Sequence, residues 1–215
     1  MKRDGHLRQD LRSAVLDRIL MGGLVGGQKI NESRLSVELG VSRTPLREAL
    51  LYLEREGFAR STPRRGFSVE PTSSRHVSDI YPIVWTLEGL ALRTVAEVPQ
   101  LLLPDLKSIN SKLAQAHSPK RALELDTEWH ETLVGQCQNE HLLRILANLR
   151  LSIRRYEYLF FSKDSRLIPT SVAQHRAVLA ALEKGSVNAA VRALENNWRF
   201  GMRVLLMKIG AGESR

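Results

Sequence analysis

The spacing of certain arginines predicts contacts with nucleic acid bases. Arg43 and Arg47 are four residues apart, so on a helix both guanidinium groups leave from the same face. An arginine fork matches the two acceptor atoms on the guanine edge, a pairing worth about 1–3 kcal/mol of discrimination against other bases. Further along the chain, Arg64 and Arg65 precede Gly66. Together the two groups favour a DNA-binding surface over a merely solvated charged face.

A second set of residues has the composition of a divalent-metal site. Asp126 and His130 are one helical turn apart and can converge on one point. A carboxylate oxygen and an imidazole nitrogen are ordinary ligands of divalent metals such as zinc. His175 stands beside the apolar residues 177–179, so it is also expected to face the interior. The alternative is that Asp126 and His130 form a buried polar pair that holds helices in register.

Two short helices are predicted before the arginine-bearing segment. Residues 7–21 place leucine, valine and isoleucine on one stripe at a spacing of four, which indicates an amphipathic helix. The run 22–27 contains four glycines and ends this helix, because glycine is costly in a helix interior. A second helix is expected over about 32–39, with Asn31 as its N-cap.

A third helix and a hairpin complete this N-terminal unit. Ser42 is expected to cap a helix over about 43–56, whose exposed first turn carries Thr44 beside the two arginines. Residues 58–69 contain two short extended runs around a Pro-Arg-Arg-Gly turn, which indicates a β-hairpin. Three short helices and a basic hairpin describe a winged helix-turn-helix, whose third helix enters the major groove. We expect Ser42 to meet a phosphate oxygen, and Gly66 to let the backbone approach the duplex closely.

The N-terminal motifs closely resemble the DNA-binding domain of the GntR family. The resemblance is carried by Val-Ser-Arg-Thr-Pro-Leu-Arg-Glu-Ala-Leu at 41–50, Leu-Glu-Arg-Glu-Gly at 53–57 and Pro-Arg-Arg-Gly at 63–66. It covers about residues 8–70. Gly26 stands where the family usually has proline. The resemblance implies a bacterial transcription factor that binds a palindromic operator in double-stranded DNA as a homodimer.

After a candidate linker at 71–74, the sequence is helical in pattern. Pro82 is expected to separate a short linking helix from a longer one. Breaks at proline, asparagine and glycine then predict helices at about 102–117, 119–137, 139–162, 170–184 and 186–208. We therefore expect a mainly α fold, with a winged helix-turn-helix domain and its small β-hairpin over 1–71. An antiparallel all-α bundle of six or seven helices should follow over 72–215.

Three motifs of the second domain resemble the FadR subfamily, whose FCD-type effector domain is an antiparallel helical bundle. They are Leu-Glu-Gly-Leu-Ala at 87–91, Asp-x-x-Trp-His at 126–130 and Gln-His-Arg at 174–176. The resemblance covers about residues 75–205. It implies that this domain binds a small-molecule effector, a carboxylate metabolite, and holds the dimer together.

The resemblance also points to ligand positions where this chain departs from the subfamily. In metal-binding members a third histidine follows at a spacing that, counted from His175, leads to Asn197. An amide oxygen is a weak, neutral ligand, so we expect one divalent ion, zinc or nickel, to be held weakly. The subfamily's anion-binding arginine is missing ahead of Glu88. Arg150 and Arg154, four residues apart, are the nearest substitutes as effector ligands, with a solvated stripe as the alternative.

Composition and the distribution of apolar residues argue against several other classes of protein. The chain has 32 Lys and Arg against 23 Asp and Glu, an excess that fits nucleic acid, an anionic membrane or simple solubility. Its single cysteine, Cys137, argues against a disulfide framework and thiolate-rich zinc sites. No run of about eighteen apolar residues is present, and the first residues lack the apolar core of a signal peptide. We therefore expect no membrane association and a place in the bacterial cytoplasm.

Taken together, these patterns predict a ligand-responsive, DNA-binding transcriptional regulator and no enzyme. Repression is favoured over activation on family precedent alone. One alternative is a constitutive DNA-binding protein whose effector site has decayed, which Asn197 favours. Another is a metal-dependent enzyme on the helical bundle. The sequence argues against it, because no candidate general base or nucleophile lies at a recognisable spacing from the metal candidates.

Overall fold

The computed structural model describes residues 2–71, 73–95, 99–162 and 167–213. The chain divides into two compact units, Met1–Thr72 and Ser73–Arg215. Most of the described chain is helical, with one antiparallel sheet of two strands in the first unit. The predicted mainly α fold class is confirmed. Within the described ranges, no helix is long and apolar enough to cross a membrane.

Three helices and a hairpin form the first unit. They are α1 (Lys2–Leu20), α2 (Glu32–Glu38), α3 (Arg43–Arg55), β1 (Ala59–Thr62) and β2 (Gly66–Val69). The first helix begins before residue 7, the predicted start, because apolar periodicity marks only the part of a helix that packs. Ala59 pairs with Val69, and Thr62 with Gly66, which fixes the register of the hairpin.

The turn between α2 and α3 follows the helix-capping expectations with one exception. The side chain of Asn31 accepts a hydrogen bond from the backbone N–H of Arg34 at 3.0 Å, as predicted. Gly40 has a φ of 64°, a left-handed conformation that suits glycine and ends α2. Ser42 occupies the N-cap of α3 but makes no side-chain capping hydrogen bond, so that part of the prediction was wrong. Its exposed hydroxyl therefore remains available to an external partner.

Buried leucines fix the position of α3. Leu46, Leu50 and Leu53 are fully buried, and they follow one face of the helix at the predicted spacing. α3 packs against α1, which buries Val15 on the facing side. Since this inner face holds α3 in place, its outer face keeps a fixed orientation. Phe67 is buried in the hairpin.

Six described helices form the second unit, in agreement with the predicted bundle. They are α4 (Ser74–Thr94), α5 (Pro99–Ala114), α6 (Pro119–Val134), α7 (Glu140–Ser162), α8 (Leu167–Glu183) and α9 (Val187–Glu213). α9 packs against both α4 and α8, while α5 lies between α6 and α8. One apolar core runs through all six helices.

Pro82 lies inside α4 and does not separate two helices, so that prediction was wrong. Proline has no N–H to donate to the carbonyl four residues earlier, that of Ser78. Ser78 is exposed, so water can satisfy its carbonyl. Val77 and Val84, on either side of the proline, are both fully buried, and their packing keeps the two halves of α4 in one helix.

Candidate nucleic-acid interface and buried polar site

The arginines of α3 and of the hairpin line one open groove of about 880 Å³ in the first unit. Arg43 and Arg47 project from α3 with side chains that are 60% and 55% exposed. Arg64, Arg65 and Gly66 line the opposite wall. The basic residues singled out by sequence therefore share one concave surface. Two further candidates, Ser42 and Thr44, are exposed at the start of α3.

Sequence reasoning missed Glu32, a buried acid at the floor of this groove. Its side chain is only 9% exposed, and Oε2 lies 3.6 Å from Arg47 Nε and 3.9 Å from Arg43 Nη2. Both distances exceed hydrogen-bond range, and Oε2 has no hydrogen-bond partner among the described residues, so this carboxylate attracts the two guanidinium groups without fixing them. Gly66 has a φ of 79°, and a Cβ there would lie 3.1 Å from Glu32 Oε1. The left-handed backbone therefore favours glycine at this position, and a larger residue would also crowd the neighbouring acid.

Asp126, His130 and His175 converge in the second unit. One potential ligand atom from each lies within 4.8 Å of the others. His130 Nε2 is 4.0 Å from Asp126 Oδ2, and His175 Nε2 is 3.5 Å from Asp126 Oδ1. The ring of His175 is fully buried and stacks on Trp129 with centroids 3.7 Å apart. The predicted cluster of three side chains is therefore formed.

On each imidazole, the Nδ1 atom lies beside an oxygen acceptor. His130 Nδ1 lies 3.0 Å from Glu88 Oε2, and His175 Nδ1 lies 3.1 Å from Asn110 Oδ1. These acceptors favour a proton on both Nδ1 atoms, which leaves Nε2 to face Asp126. His175 Nε2 is buried and makes no hydrogen bond with the described residues. This orphaned nitrogen is what a metal-binding histidine presents.

Burial and neighbouring charges set the protonation of the cluster. Burial lowers the pKa of His175 well below its ordinary range, and the charge of His130 lowers it further, so this ring is neutral. Burial raises the pKa of Asp126, against the opposing effects of His130 and of a 2.7 Å hydrogen bond from Ser171 Oγ. Burial would lower the pKa of His130, but the carboxylates of Glu88 and Asp126 raise it. The neutral ring of His175 beside an acid suits a cation, whereas the raised pKa of His130 favours its protonated form, whose proton a metal ion would have to displace.

Glu88 is the centre of the buried network behind the cluster. It is fully buried on α4 and accepts hydrogen bonds from His130 Nδ1, from Trp198 Nε1 at 2.6 Å and from Arg150 Nε at 3.1 Å. Burial alone would raise the pKa of Glu88, but the charges and hydrogen bonds of His130 and Arg150 hold it at about 2. One ionised carboxylate thus joins α4, α6, α7 and α9.

The two arginines proposed as effector ligands occupy different environments. Arg150 is 8% exposed, so the solvated-stripe alternative is wrong for it. Its Nε and Nη2 both donate to Glu88, and the guanidinium therefore balances a buried acid instead of standing free for an effector. Arg154 is half-buried, and its Nε is buried without a hydrogen-bond partner among the described residues.

A small cavity of about 40 Å³ opens beside Asp126 and His130. Asn197 lines it and donates from Nδ2 to Gln174 Oε1 at 3.0 Å. The other described lining residues are Tyr81, Glu157, Phe160, Phe161, Ser171, Gln174, Trp198, Gly201 and Leu205. Burial, together with the negative charge of Asp126, raises the pKa of Glu157 to about 8. Asp126 and His130 thus form part of the wall of this small space, whereas His175 is not among its described lining residues.

Comparison with known families accounts for both units. The chain matches the bacterial regulatory proteins of the gntR family over residues 7–69 and the FCD domain over residues 79–199. The chain belongs to the GntR family. The winged helix-turn-helix therefore serves DNA binding, and the helical bundle is an FCD domain, which agrees with the FadR-subfamily resemblance. This GntR regulator is a DNA-binding transcriptional regulator with a C-terminal effector domain.

Curated relatives and solved structures agree with this assignment. The HTH-type transcriptional regulator YdhC of Bacillus subtilis is 29% identical over 177 residues, covering 80% of this chain and 79% of its own. The Nta operon transcriptional regulator of Aminobacter aminovorans is 36% identical over 132 residues, covering 60% and 62%. The gluconate operon transcriptional repressor of Bacillus licheniformis is 30% identical over 138 residues, covering 62% and 56%. The solved structure of E. coli McbR/YncC has the same fold, with a TM-score of 0.76 at 20% identity and coverages of 94% and 98%.

Replacing Glu88 with glutamine tests its place in the GntR regulator. The amide leaves Arg150 buried without a counter-charge, so we expect a loss of about 3–5 kcal/mol in the free energy of unfolding at neutral pH. Because the pKa of Glu88 is lowered from 4.5 to about 2 on folding, its contribution is complete above pH 4.5 and is lost as the pH falls toward 2. That loss amounts to about 3 kcal/mol at about 1.36 kcal/mol per unit.

Urea unfolding between pH 2 and pH 7 measures this effect. All three tryptophans lie in the second unit, so their fluorescence reports on the bundle. The Glu88→Gln profile should be flatter than the wild-type profile below pH 4.5. Glu131→Gln, an exposed substitution on α6, is the matched control and should follow the wild type. An unchanged stability of Glu88→Gln at pH 7 would contradict the role assigned to this carboxylate.

Proposed function

We propose that this GntR regulator is a repressor whose affinity for a palindromic operator changes when a carboxylate effector binds beside a metal ion in its FCD domain. The observation that carries the effector site is the buried, unpartnered Nε2 of His175 facing Asp126 beside His130. The sign of regulation is supported by relatives named as repressors, including that of the gluconate operon. We infer that the protein acts by binding and catalyses no reaction. We infer a place in the bacterial cytoplasm, where a DNA target would be found.

On the operator, α3 would read bases and the hairpin would hold the backbone. Arg43 and Arg47 are exposed on one face beside the carboxylate of Glu32, and no hydrogen bond to that acid keeps them from extending to guanine edges. Arg64 and Arg65 at the hairpin tip would meet the minor groove or phosphates. Ser42 and Thr44 would add phosphate contacts at the start of α3, where the helix dipole favours anions.

The effector domain would hold one divalent ion, such as zinc or nickel, through Asp126, His130 and His175, with Asn197 as a weak fourth ligand. The donor set fits, since both histidines are oriented from behind by acceptors and an acid lies between them. When bound, the ion supplies positive charge and open positions for an effector carboxylate. Free space of about 40 Å³ holds only a few waters, so the effector must be small.

Glu88 offers a physical link between effector binding and the rest of the chain. It contacts His130 directly, and its own helix α4 begins at Ser74, immediately after the DNA-binding unit in sequence. A ligand that shifts His130 must rearrange this carboxylate or its partners. Coupling of this kind is typically about 1–3 kcal/mol and reciprocal, so DNA would change effector affinity by the same factor.

The bundle also presents a surface that suits a second copy of the chain. Ile83 and Leu90 are 48% and 45% exposed and lie seven residues apart on α4, so they share one face. Burying this face in a homodimer would remove apolar surface from water. Two linked winged domains on a palindrome would also bind far more tightly than one.

Substitutions in the groove separate base reading from backbone contact. Arg47→Ala should relax sequence preference at one operator position, at a cost of about 1–3 kcal/mol on the preferred base. Arg65→Ala should weaken all sequences alike and lower the salt slope by about 1. Selection from a random duplex library, followed by titrations at several salt concentrations, measures both effects. Arg192→Ala, on α9, is the control. Equal, sequence-independent losses for both groove variants would refute the division of roles.

The metal site is tested with zinc and the purified, metal-free chain. Wild type should bind weakly and release zinc to a mild chelator, and His130→Ala should abolish binding. Asn197→His should raise zinc affinity by about tenfold or more, because imidazole is a better donor than a neutral amide. Titration calorimetry gives the affinities, and exposed His117 changed to alanine is the control. No binding by wild type and no gain in Asn197→His would make the cluster a purely structural core.

The dimer is tested by placing charges on the α4 face. Sedimentation velocity of the full chain should show a dimer, and Ile83→Glu combined with Leu90→Glu should give a monomer, because buried unpaired charges are costly. Val37→Glu alters an 81% exposed valine in the first unit and should leave the dimer intact. A monomeric wild type, or a double variant that remains dimeric, would rule out this interface.

A further inference from the structure

The charges that line the effector cavity are unusual for a site that takes a carboxylate. Among the described lining residues, the carboxyl groups are those of Asp126 and Glu157, and His130 is the one basic side chain. No lysine or arginine is among these described residues. Asp126 and His130 belong to the proposed metal site. Glu157 is therefore the one carboxyl group of the cavity that has no assigned role.

Glu157 has no hydrogen-bond or ion-pair partner in the described part of the chain. It is half-buried on α7, and no described side chain forms a hydrogen bond or ion pair with it. A carboxyl group that is partly removed from water gains from a partner that restores its lost hydration. The open side of Glu157 faces the cavity, so that partner would come from the ligand.

Aromatic rings surround the same space. Tyr81, Phe160, Phe161 and Trp198 line the cavity with Glu157. The rings of Phe160 and Phe161 pack edge to face, with centroids 5.0 Å apart. Aromatic faces attract cations through their quadrupole, and the attraction grows when the cation is desolvated. A carboxyl group among several rings is an environment for an organic ammonium group.

The two ends of the cavity thus favour opposite charges. At one end, a divalent ion on Asp126, His130 and His175 would leave positive charge that attracts a carboxylate. At the other, burial raises the pKa of Glu157 to about 8, and a ligand ammonium group would lower that pKa and bind the ionised carboxylate. A dicarboxylate would form no such charge pair and would keep Glu157 protonated. A ligand with one carboxylate and one ammonium group satisfies both ends.

We propose that the effector is a small α-amino acid, whose ammonium group binds to Glu157 while its carboxylate binds at the metal end. Glu157 is then the residue that determines specificity for amino acids over the matching hydroxy acids. This inference rests on the proposed metal-assisted effector site. The free volume of about 40 Å³ restricts the ligand to the smallest members of the class.

Matched ligand pairs test this proposal on the full-length chain at a fixed zinc concentration that saturates the weak site, with the same zinc solution without protein as the blank. Glycine and glycolate, and L-alanine and L-lactate, differ in an ammonium against a hydroxyl group. Titration calorimetry should show that each amino acid binds about tenfold or more tightly than its hydroxy acid, the usual worth of a charge-assisted hydrogen bond. Glu157→Gln keeps the shape and removes the charge, so it should reduce this preference to about onefold while zinc affinity stays within about twofold.

Glu128→Gln is the control, because Glu128 is exposed on α6 and the substitution is the same. This variant should keep the full preference. Equal binding of both members of each pair, or no binding of any, would overturn the proposal. A preference that survives in Glu157→Gln would also overturn it, since the amine would then act by coordinating zinc. No zinc binding in the direct zinc titration would instead refute the proposed metal site, and the inference would fall with it.

Discussion

The second unit depends on one buried carboxylate that must stay ionised. Glu88 lies at 0% exposure and is stabilised there by donors from three other helices, His130 on α6, Arg150 on α7 and Trp198 on α9. Removing such a charge from water is costly, and only a complete set of partners compensates for it. The four helices can therefore pack only in the register that brings all three donors to Glu88. The orientation of His130 follows from that register.

The cavity chemistry follows from this arrangement. Glu88 accepts a hydrogen bond from Nδ1 of His130, and Asn110 accepts one from Nδ1 of His175. Asn110 in turn donates to the carbonyl of Val172. The remaining nitrogens face Asp126. Residues behind the polar site thus set the orientation of its two histidines, although they do not line the cavity themselves. In the groove of the first unit, buried Glu32 likewise lies behind exposed groups, 3.6 Å from Arg47 Nε and 3.9 Å from Arg43 Nη2.

Sequence reasoning succeeded where the interaction is local. The spacing of Arg43 and Arg47 on one helix, and of Asp126 and His130 on another, could be read directly, because a helical turn fixes which side chains are neighbours. It did not identify the roles of Glu32 and Glu88, whose partners lie on other helices. Each looked like an ordinary helical acid. Pro82 was misjudged for a related reason, since buried residues on both sides of it keep α4 continuous and no local signal reports that burial.

The position of Asn197 has a consequence for how regulators of this kind diversify. Its amide lines the cavity and is held by a single hydrogen bond to Gln174, so another polar residue could replace it at little structural cost. Glu88 has no such freedom, because any change there must be matched on three other helices at once. Evolution can thus retune the ligand through the cavity wall while the supporting network stays constant. Within one fold, the residues that determine ligand specificity can be substituted, whereas the residues of the buried network that stabilises the bundle cannot.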